Sequence, residues 1–449
     1  YWVKMNKLLI KNATIINEGK RSSKDILIEG EFIKKIEENI IFESEIDTID
    51  ASGLILIPGM IDDQVHFREP GLTHKGDINT ESKAAIAGGV TSYIEMPNTI
   101  PNTTTINEFN KKIQIASKNS YANFSFMFGG TNDNIDEIIK LNKSEVAGIK
   151  LFLGSSTGKM LIDNFNSIKE IFTSTSLPIS AHCEDEEIIK ENTNYYKQIY
   201  ENDIPIEIHP KIRSEEACMK SSNFAVKLAK NTGARLNVFH ISTAKELELF
   251  DNKLNVKNKK ITAEVCAHHL WFTDDDYKRL GSRIKWNPAI KTNNDKVQLW
   301  KAIKDDLIDI IASDHAPHTE EEKNKNYFDC PSGGPMVQHT ILSLLQNCQN
   351  FGVTIEKIVE KISHNPAIIF EIEKRGFIKE GYYADIVLID NNNPTSVTRD
   401  SLLYKCGWSP FEGEQFDNSI NKTIINGRIV YSDGRVISQP SGKKLTFNR

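Results

Sequence analysis

The chain has 449 residues, 39% of them hydrophobic, which suffices for one large barrel or for two to three ordinary domains with a sizeable core. Lys+Arg 55 against Asp+Glu 61 gives a net charge of -6 without a long single-sign block, which argues against nucleic acid or an anionic membrane as a partner. No apolar run approaches the roughly 18 residues of a spanning helix and no secretory signal is evident, so the expected location is cytoplasmic.

Short alternating or apolar runs occupy the first fifty-odd residues, with Ala13 to Ile16, Asp25 to Ile28 and Phe32 to Ile36 reading as strands of a small sheet. Eight further apolar runs follow, with helical stretches in the gaps: Leu56 to His66, Thr91 to Met96, Asn123 to Phe128, Gly148 to Leu153, Pro178 to His182, Arg235 to His240, Ile261 to His268 and Ile308 to Asp314. The helix between the fifth and sixth runs is explicit. Ser214 caps it, Glu215 and Glu216 fill its first turn, Ala217, Phe224, Ala225 and Leu228 share a face, and Gly233 stops it. Another helix ends at Gly88 after Ser82 to Ala87. Toward the C-terminus come Ala384 to Ile389, Thr423 to Ile425 and Arg428 to Tyr431, with Asn426-Gly427 and Asp433-Gly434 as hairpin turns. A few strands from either end alone are marginal in water, so both ends are expected to build one β domain.

The expected fold class is α/β: a (β/α)8 barrel of the TIM type over 56–372, with a small β-sandwich domain from both chain ends, 5–55 and 373–449. Active sites of such barrels sit at the C-terminal ends of the strands. There the sequence places His66, Lys150, His182, His240 and Asp314, the last opening Asp314-His315-Ala316-Pro317-His318. Neutral imidazoles and carboxylates at about 2.0–2.2 Å from a metal, with one position left open, are what zinc-type chemistry needs. One histidine alone is more often structural, whereas several at successive strand ends describe a site. Lys150 by itself reads as a snorkelling or salt-bridged residue, because an ammonium has no lone pair.

The motifs Pro58-Gly59-Met60-Ile61-Asp62, His66-Phe67-Arg68-Glu69-Pro70-Gly71, Glu95-Met96-Pro97-Asn98-Thr99, Gly148-Ile149-Lys150-Leu151-Phe152, Ala181-His182-Cys183-Glu184, Phe239-His240-Ile241-Ser242 and Ser313 to His318 resemble, in order and over nearly the whole chain, the dihydroorotase branch of the amidohydrolase superfamily. The resemblance implies a zinc-dependent dihydroorotase that interconverts L-dihydroorotate and N-carbamoyl-L-aspartate in pyrimidine biosynthesis. It implies a carbamate on Lys150, metal ligands among His66, Lys150, His182, His240 and Asp314, and Asp314 as general base and then acid. Arg68, Asn98 and His318 would hold the substrate carboxylate, since a guanidinium fork and an amide suit that group, and Asn287 would reach the ring. The expected partners are this small-molecule substrate, a second copy of the chain in a dimer, and aspartate transcarbamoylase.

One position departs from the family pattern of His-x-His, because Gln64-Val65-His66 stands there and an amide oxygen is a poorer zinc ligand than imidazole. One zinc is therefore expected, with the position served by Gln64 weakened. The alternatives are a catalytically impaired scaffold partner of aspartate transcarbamoylase and a related cyclic amidase of the allantoinase or dihydropyrimidinase type. Gly154 to Met160 imitates a phosphate loop with wrong glycine spacing, and His182-Cys183-Glu184 imitates a deaminase motif without its Pro-Cys-x-x-Cys partner. Six cysteines without a CxxC pair give neither a disulfide framework nor a cysteine zinc site. His268 and His269 read as structural, nothing places His74, His209, His339 or His364 at the site, and the loop Cys330 to Pro335 is expected to offer backbone contacts.

Overall fold

The computed structural model describes residues 7–42, 46–154 and 160–449. Most of the loop that imitates a phosphate site, 155–159, lies outside the described residues. Eight strands follow one another around a parallel barrel: β1 (Met60–Val65), β2 (Val90–Glu95), β3 (Asn123–Gly129), β4 (Gly148–Phe152), β5 (Ile179–His182), β6 (Leu236–Val238), β7 (Ile261–Cys266) and β8 (Ile310–Ala312). The ring closes where Val65 bridges His315, with the His66 N–H donating to the His315 carbonyl at 2.7 Å.

Successive side chains of a strand point to opposite faces, and these sequences use both. Ile149 and Leu151 of β4, Ile179 and Ala181 of β5, and Ala263 and Val265 of β7 enter the apolar core that the barrel shares with its helices. Lys150, Phe152 and His182, at the intervening positions, turn to the mouth of the barrel. Helices fill the connections as their caps dictate. Ser214 Oγ accepts from the Ala217 N–H at the start of Glu215–Thr232, and Gly233 ends that helix in the left-handed region at φ 73°.

The first expected barrel run, Leu56 to His66, divides at Gly59. Leu54–Pro58 pairs antiparallel with Ile386–Asp390 in a flanking sheet, and only Met60–Val65 belongs to the barrel. A Cβ on Gly59 would lie 2.1 Å from Thr91 Cγ2, so the passage from sheet to barrel is too tight for any other residue.

Among the described residues the flanking sheet has nine strands, and it draws on both chain ends, as expected. Leu54–Pro58 lies between Lys7–Asn17 and Ile386–Asp390, with the hairpin Ser419–Ile425 and Arg428–Ser432 beyond. Asn426 and Gly427 turn that hairpin with φ of 49° and 74°, the pair of positive values a type I′ turn requires. Alternation again divides the side chains: Leu56, Ile386, Leu388 and Ile424 form a core within the sheet domain. Ile55, Ile57, Val387, Ile389 and Ile425 join the barrel core instead. Among the described residues no helix is long and apolar enough to cross a membrane.

A buried polar network ties the two bodies. Arg375 pairs with Asp385 and donates to Asn426 Oδ1 at 2.9 Å, while Asp385 also accepts from the Asn426 N–H at 2.9 Å and from Asn123 Nδ2 of β3 at 3.2 Å. Removing one member of such a pair strands the other in a dry interior. Arg375→Leu is expected to lose about 3–5 kcal/mol of stability, read as a lowered midpoint in chemical denaturation, whereas an unchanged midpoint would mean that the network is dispensable.

Candidate active site

One cavity at the mouth of the barrel is lined by Gln64 and His66 at the end of β1, Arg68 just beyond, Asn98 after β2, Lys150 and Phe152 of β4, His182 of β5, His240 after β6, Asn287 with Trp286, and Asp314 after β8. Ser332 and Gly333, from the loop expected to offer backbone, complete the wall. His318 is the one sequence candidate that does not line it. Three non-glycine residues of this lining hold positive φ, Arg68 at 72°, His240 at 38° and Asp314 at 45°. Such backbone is costly away from glycine and collects at functional sites.

The imidazoles are oriented by partners on their far sides. His66 Nδ1 lies 2.8 Å from Asn98 Oδ1, and with that amide orientation Nδ1 carries the hydrogen, leaving the Nε2 lone pair facing Asp314 Oδ1 at 3.2 Å. His182 Nε2 donates to Glu184 Oε2 at 2.9 Å, and Glu184 is held in turn by Arg213. This leaves His182 Nδ1 facing His240 Nε2 at 2.9 Å, while His240 Nδ1 has no hydrogen-bond partner among the described residues. Burial lowers the pKa of all three rings, against the pull of Asp314 on His66 and of Glu184 on His182. They are neutral at neutral pH and keep lone pairs.

Lys150 is buried with no hydrogen-bond partner at Nζ among the described residues, and it sits 3.9 Å from the centre of the Phe239 ring. Burial brings its pKa down to about 8 in spite of Glu264 and Asp314. A minor fraction is therefore free amine at neutral pH, far more than for an ordinary lysine. Glu264, on β7, is pushed well above the carboxylate range by burial and by Asp63, and burial raises Asp63 to about 6. Gln64 Oε1 accepts from the Cys266 thiol at 3.6 Å.

Arg68 is 3% exposed, and among the described residues it makes no ion pair. Its Nε donates to the Pro317 carbonyl at 2.9 Å and its Nη2 lies 3.0 Å from His318 Nε2. Burial lowers its pKa to about 10, which leaves it a cation at neutral pH. Asn98, expected to share its anion through the amide NH2, offers its amide oxygen to His66. His268 stacks on Trp286 at 4.4 Å between ring centres, and His269 Nε2 donates to the Pro288 carbonyl at 3.1 Å, so both support the wall. His209 likewise donates from Nε2 to the Trp286 carbonyl at 2.7 Å.

Sequence reasoning missed Glu184 as the support of His182, together with Glu264 and Asp63. The signal was present in each case as an acid inside or directly after an apolar strand. Among the described residues, no three His, Cys, Asp or Glu side chains gather closely enough to hold a metal by themselves. The donors stand as two pairs, His66 with Asp314 and His182 with His240.

A family model described as the amidohydrolase family matches residues 55–430. The chain is 34% identical to a dihydroorotase of Methanosphaera stadtmanae, covering 97% of this chain and 99% of that one. It is 31% identical to an allantoinase of Desulfitobacterium hafniense (strain Y51), covering 98% of each. Among solved structures, the L-hydantoinase (dihydropyrimidinase) from Arthrobacter aurescens superposes with a TM-score of 0.93 at 26% identity, covering 98% of this chain and all of that one.

The support of His182 has a pH signature. Burial pushes Glu184 upward, but the Arg213 guanidinium and the His182 ring outweigh it and hold the carboxyl down at about 2, against an ordinary 4.5. A depressed carboxylate stabilises the fold fully above its unfolded pKa, and that contribution disappears as pH falls through the folded one. Wild type is therefore expected to exceed Glu184→Gln in stability above pH 4.5 and to lose the difference between about 4.5 and about 2. Parallel acid limbs in urea titrations at several pH values would contradict this.

Proposed function

The chain belongs to the amidohydrolase family, and from that premise we propose that it is a dihydroorotase, hydrolysing the ring amide of L-dihydroorotate to N-carbamoyl-L-aspartate and running the reverse step in pyrimidine synthesis. The observation that carries this reading is Arg68, a buried guanidinium on the cavity wall that has no acid in ion-pair contact among the described residues and feels Asp314, Glu95, Glu322 and Glu81 only at longer range. A buried charge without a partner is expensive, and a cavity that keeps one is built for an anion. A carboxylate on the substrate ring supplies it, whereas an uncharged cyclic amide would leave Arg68 unmatched.

The donor set fits a divalent metal of the zinc type. His182 and His240 on one side and His66 and Asp314 on the other present lone pairs in pairs, and each pair lacks a third donor. Lys150 acts electrostatically on Asp314, His182 and His240 and carries an unpartnered, partly neutral amine. A neutral amine can take up carbon dioxide, and the resulting carbamate on Lys150 would supply an anionic donor to each pair. When bound, such an ion acidifies water at neutral pH and polarises the amide carbonyl.

The remaining work falls to side chains of the chain itself. Arg68 fixes the substrate carboxylate, which sets the ring amide against the wall that holds Asp314. Asp314 accepts a proton from the attacking water as its oxygen adds to the carbonyl carbon. It then gives that proton to the ring nitrogen as the C–N bond breaks. In the synthetic direction Asp314 takes the proton from the carbamoyl nitrogen and returns it to the departing water.

Gln64, with its amide oxygen engaged by Cys266, favours a second reading. In it the position beside His66 and Asp314 binds metal poorly, and in the extreme the chain is a scaffold for aspartate transcarbamoylase.

Two measurements test these readings. Wild type is expected to turn over dihydroorotate and to ignore dihydrouracil, and Arg68→Met to lose roughly 100- to 1000-fold in kcat/KM for dihydroorotate; a loss within tenfold would remove the carboxylate assignment. Metal per chain, measured with and without bicarbonate, is expected near one in wild type and higher in Gln64→His. Turnover that appears only in Gln64→His would instead establish the scaffold reading.

A further inference from the structure

Two buried lysines stand behind the loop Cys330 to Pro335, and the mechanism above uses neither. Lys323, at the end of the short helix Glu320–Lys323, is 1% exposed, and Lys285 is buried just before Trp286. Neither lines the cavity, and among the described residues neither pairs with a carboxylate. Their ammonium groups are met by main-chain carbonyls. Lys323 Nζ donates to the Gly333 carbonyl at 2.8 Å, to that of Pro331 at 2.9 Å and to that of Lys285 at 3.3 Å, which commits all three of its hydrogens. Lys285 Nζ donates to the carbonyls of Tyr327 and Cys330, each at 2.6 Å.

An ammonium buried without a counter-ion is expensive, so a fold that keeps one obtains from it something apolar packing cannot give. What Lys323 fixes is the direction of two peptide units, those that carry the Pro331 and Gly333 carbonyls. The Pro331–Ser332 peptide is trans, and the C=O and N–H of a trans unit point opposite ways. With the Pro331 carbonyl turned to Lys323, the Ser332 N–H is turned away from it, and it has no hydrogen-bond partner among the described residues. The peptide unit between is spent: the Ser332 carbonyl accepts from His318 Nε2 at 3.0 Å, and the Gly333 N–H donates to the Lys285 carbonyl at 2.8 Å. Ser332 itself lines the cavity. We propose that Lys323 is a positioning residue for substrate binding: by holding the carbonyls of Pro331 and Gly333 it sets the Ser332 N–H toward the cavity, as a donor for a carbonyl oxygen of the substrate ring. The inference rests on the dihydroorotase reading and deepens it.

Lys285 provides the control, because its side chain holds Tyr327 and Cys330 and leaves Pro331 and Gly333 alone. Steady-state kinetics on dihydroorotate and chemical denaturation of the full chain are compared for wild type, Lys323→Met and Lys285→Met. Lys323→Met is expected to raise KM about tenfold or more and to keep kcat within about threefold, as the loss of one hydrogen bond made alike in ground and transition state would. Lys285→Met is expected to lower the denaturation midpoint and to keep KM within about threefold of wild type. A Lys323→Met protein with wild-type KM overturns the inference, as does a Lys285→Met protein whose KM rises as far, which would mean that the loop answers to stability alone.

Amide hydrogen exchange in wild type probes the same contact without a variant. The Ser332 amide is expected to exchange freely in the unliganded protein and to slow at least about tenfold at saturating dihydroorotate. An amide that stays unprotected overturns the inference whether or not the lysine variants fold. Wild type that neither binds nor turns over dihydroorotate overturns the parent reading and this inference with it, while an active wild type whose KM is indifferent to Lys323 overturns this inference alone.

Discussion

Charge buried at the mouth of the barrel has to be balanced from within the barrel, and most of what surrounds the site follows from that. Arg68, Lys150, Asp63, Glu264 and Asp314 are all buried there, in a setting where an unpaired ion costs several kcal/mol. The fold answers in two ways. Where a partner is possible it supplies one, as Arg213 for Glu184 and Lys112 for Glu95. Where none is supplied, the group gives up charge or waits for a ligand. Glu264 is driven toward its neutral form and Lys150 toward free amine, whereas a guanidinium does not deprotonate and Arg68 stays a cation. The unmatched groups on the cavity wall, an amine and a guanidinium, therefore describe what is missing: something that reacts with or coordinates through Lys150, and an anion for Arg68.

Holding such groups in place requires a rigid frame, and the sheet that flanks the barrel supplies part of it. Leu54–Pro58 belongs to the sheet and Met60–Val65 to the barrel, so the first strand to reach the site begins anchored at Gly59 in a second hydrophobic core. At the other end of β1 the His66 N–H donates to His315, which closes the barrel and sets Gln64 and His66 facing the cavity. His315 is itself fixed by Glu81 at 2.7 Å. The positive φ of Arg68, His240 and Asp314 shows where this rigidity is used. Each backbone is held in a conformation that a free chain avoids, and each side chain meets the cavity.

Much of this was legible in the sequence because period-2 alternation in a buried strand leaves a visible trace. In Gly148-Ile149-Lys150-Leu151-Phe152 and in Ile261-Thr262-Ala263-Glu264-Val265-Cys266, Ile149, Leu151, Ala263 and Val265 pack outward, while Lys150 and Phe152, at the alternate positions, turn to the cavity, so a single charged residue in an apolar run marks the inner face. Strand-end histidines were legible for the same reason. The division at Gly59 was marked only by Pro58-Gly59, which signals a turn without saying that the runs on its two sides belong to different sheets, and the close approach of Thr91 shows how tight that turn is. The place of His318 was also hidden. Its spacing from Asp314 puts it near the carboxylate clamp, but which face of a loop it occupies depends on Lys75 and Ser332, far away in the chain. Asn98 was found as a site residue, yet its amide oxygen serves an imidazole, a choice that only the geometry makes.

The discrimination between cyclic amides therefore has to arise late, on a frame that is shared. A TM-score of 0.93 to an L-hydantoinase means that the two chains share their overall backbone course. What differs is the treatment of a few side chains. A buried guanidinium would repel no neutral ring, but it would remain unpaired in that complex and forfeit the energy that an anion returns. Gln64 bears on the proposed metal in the same way: its oxygen is turned to Cys266, and it stands beside the pair His66 and Asp314 where the family pattern has a histidine. On the reading proposed above, substrate charge would be set by Arg68, and metal occupancy by Gln64 and Lys150.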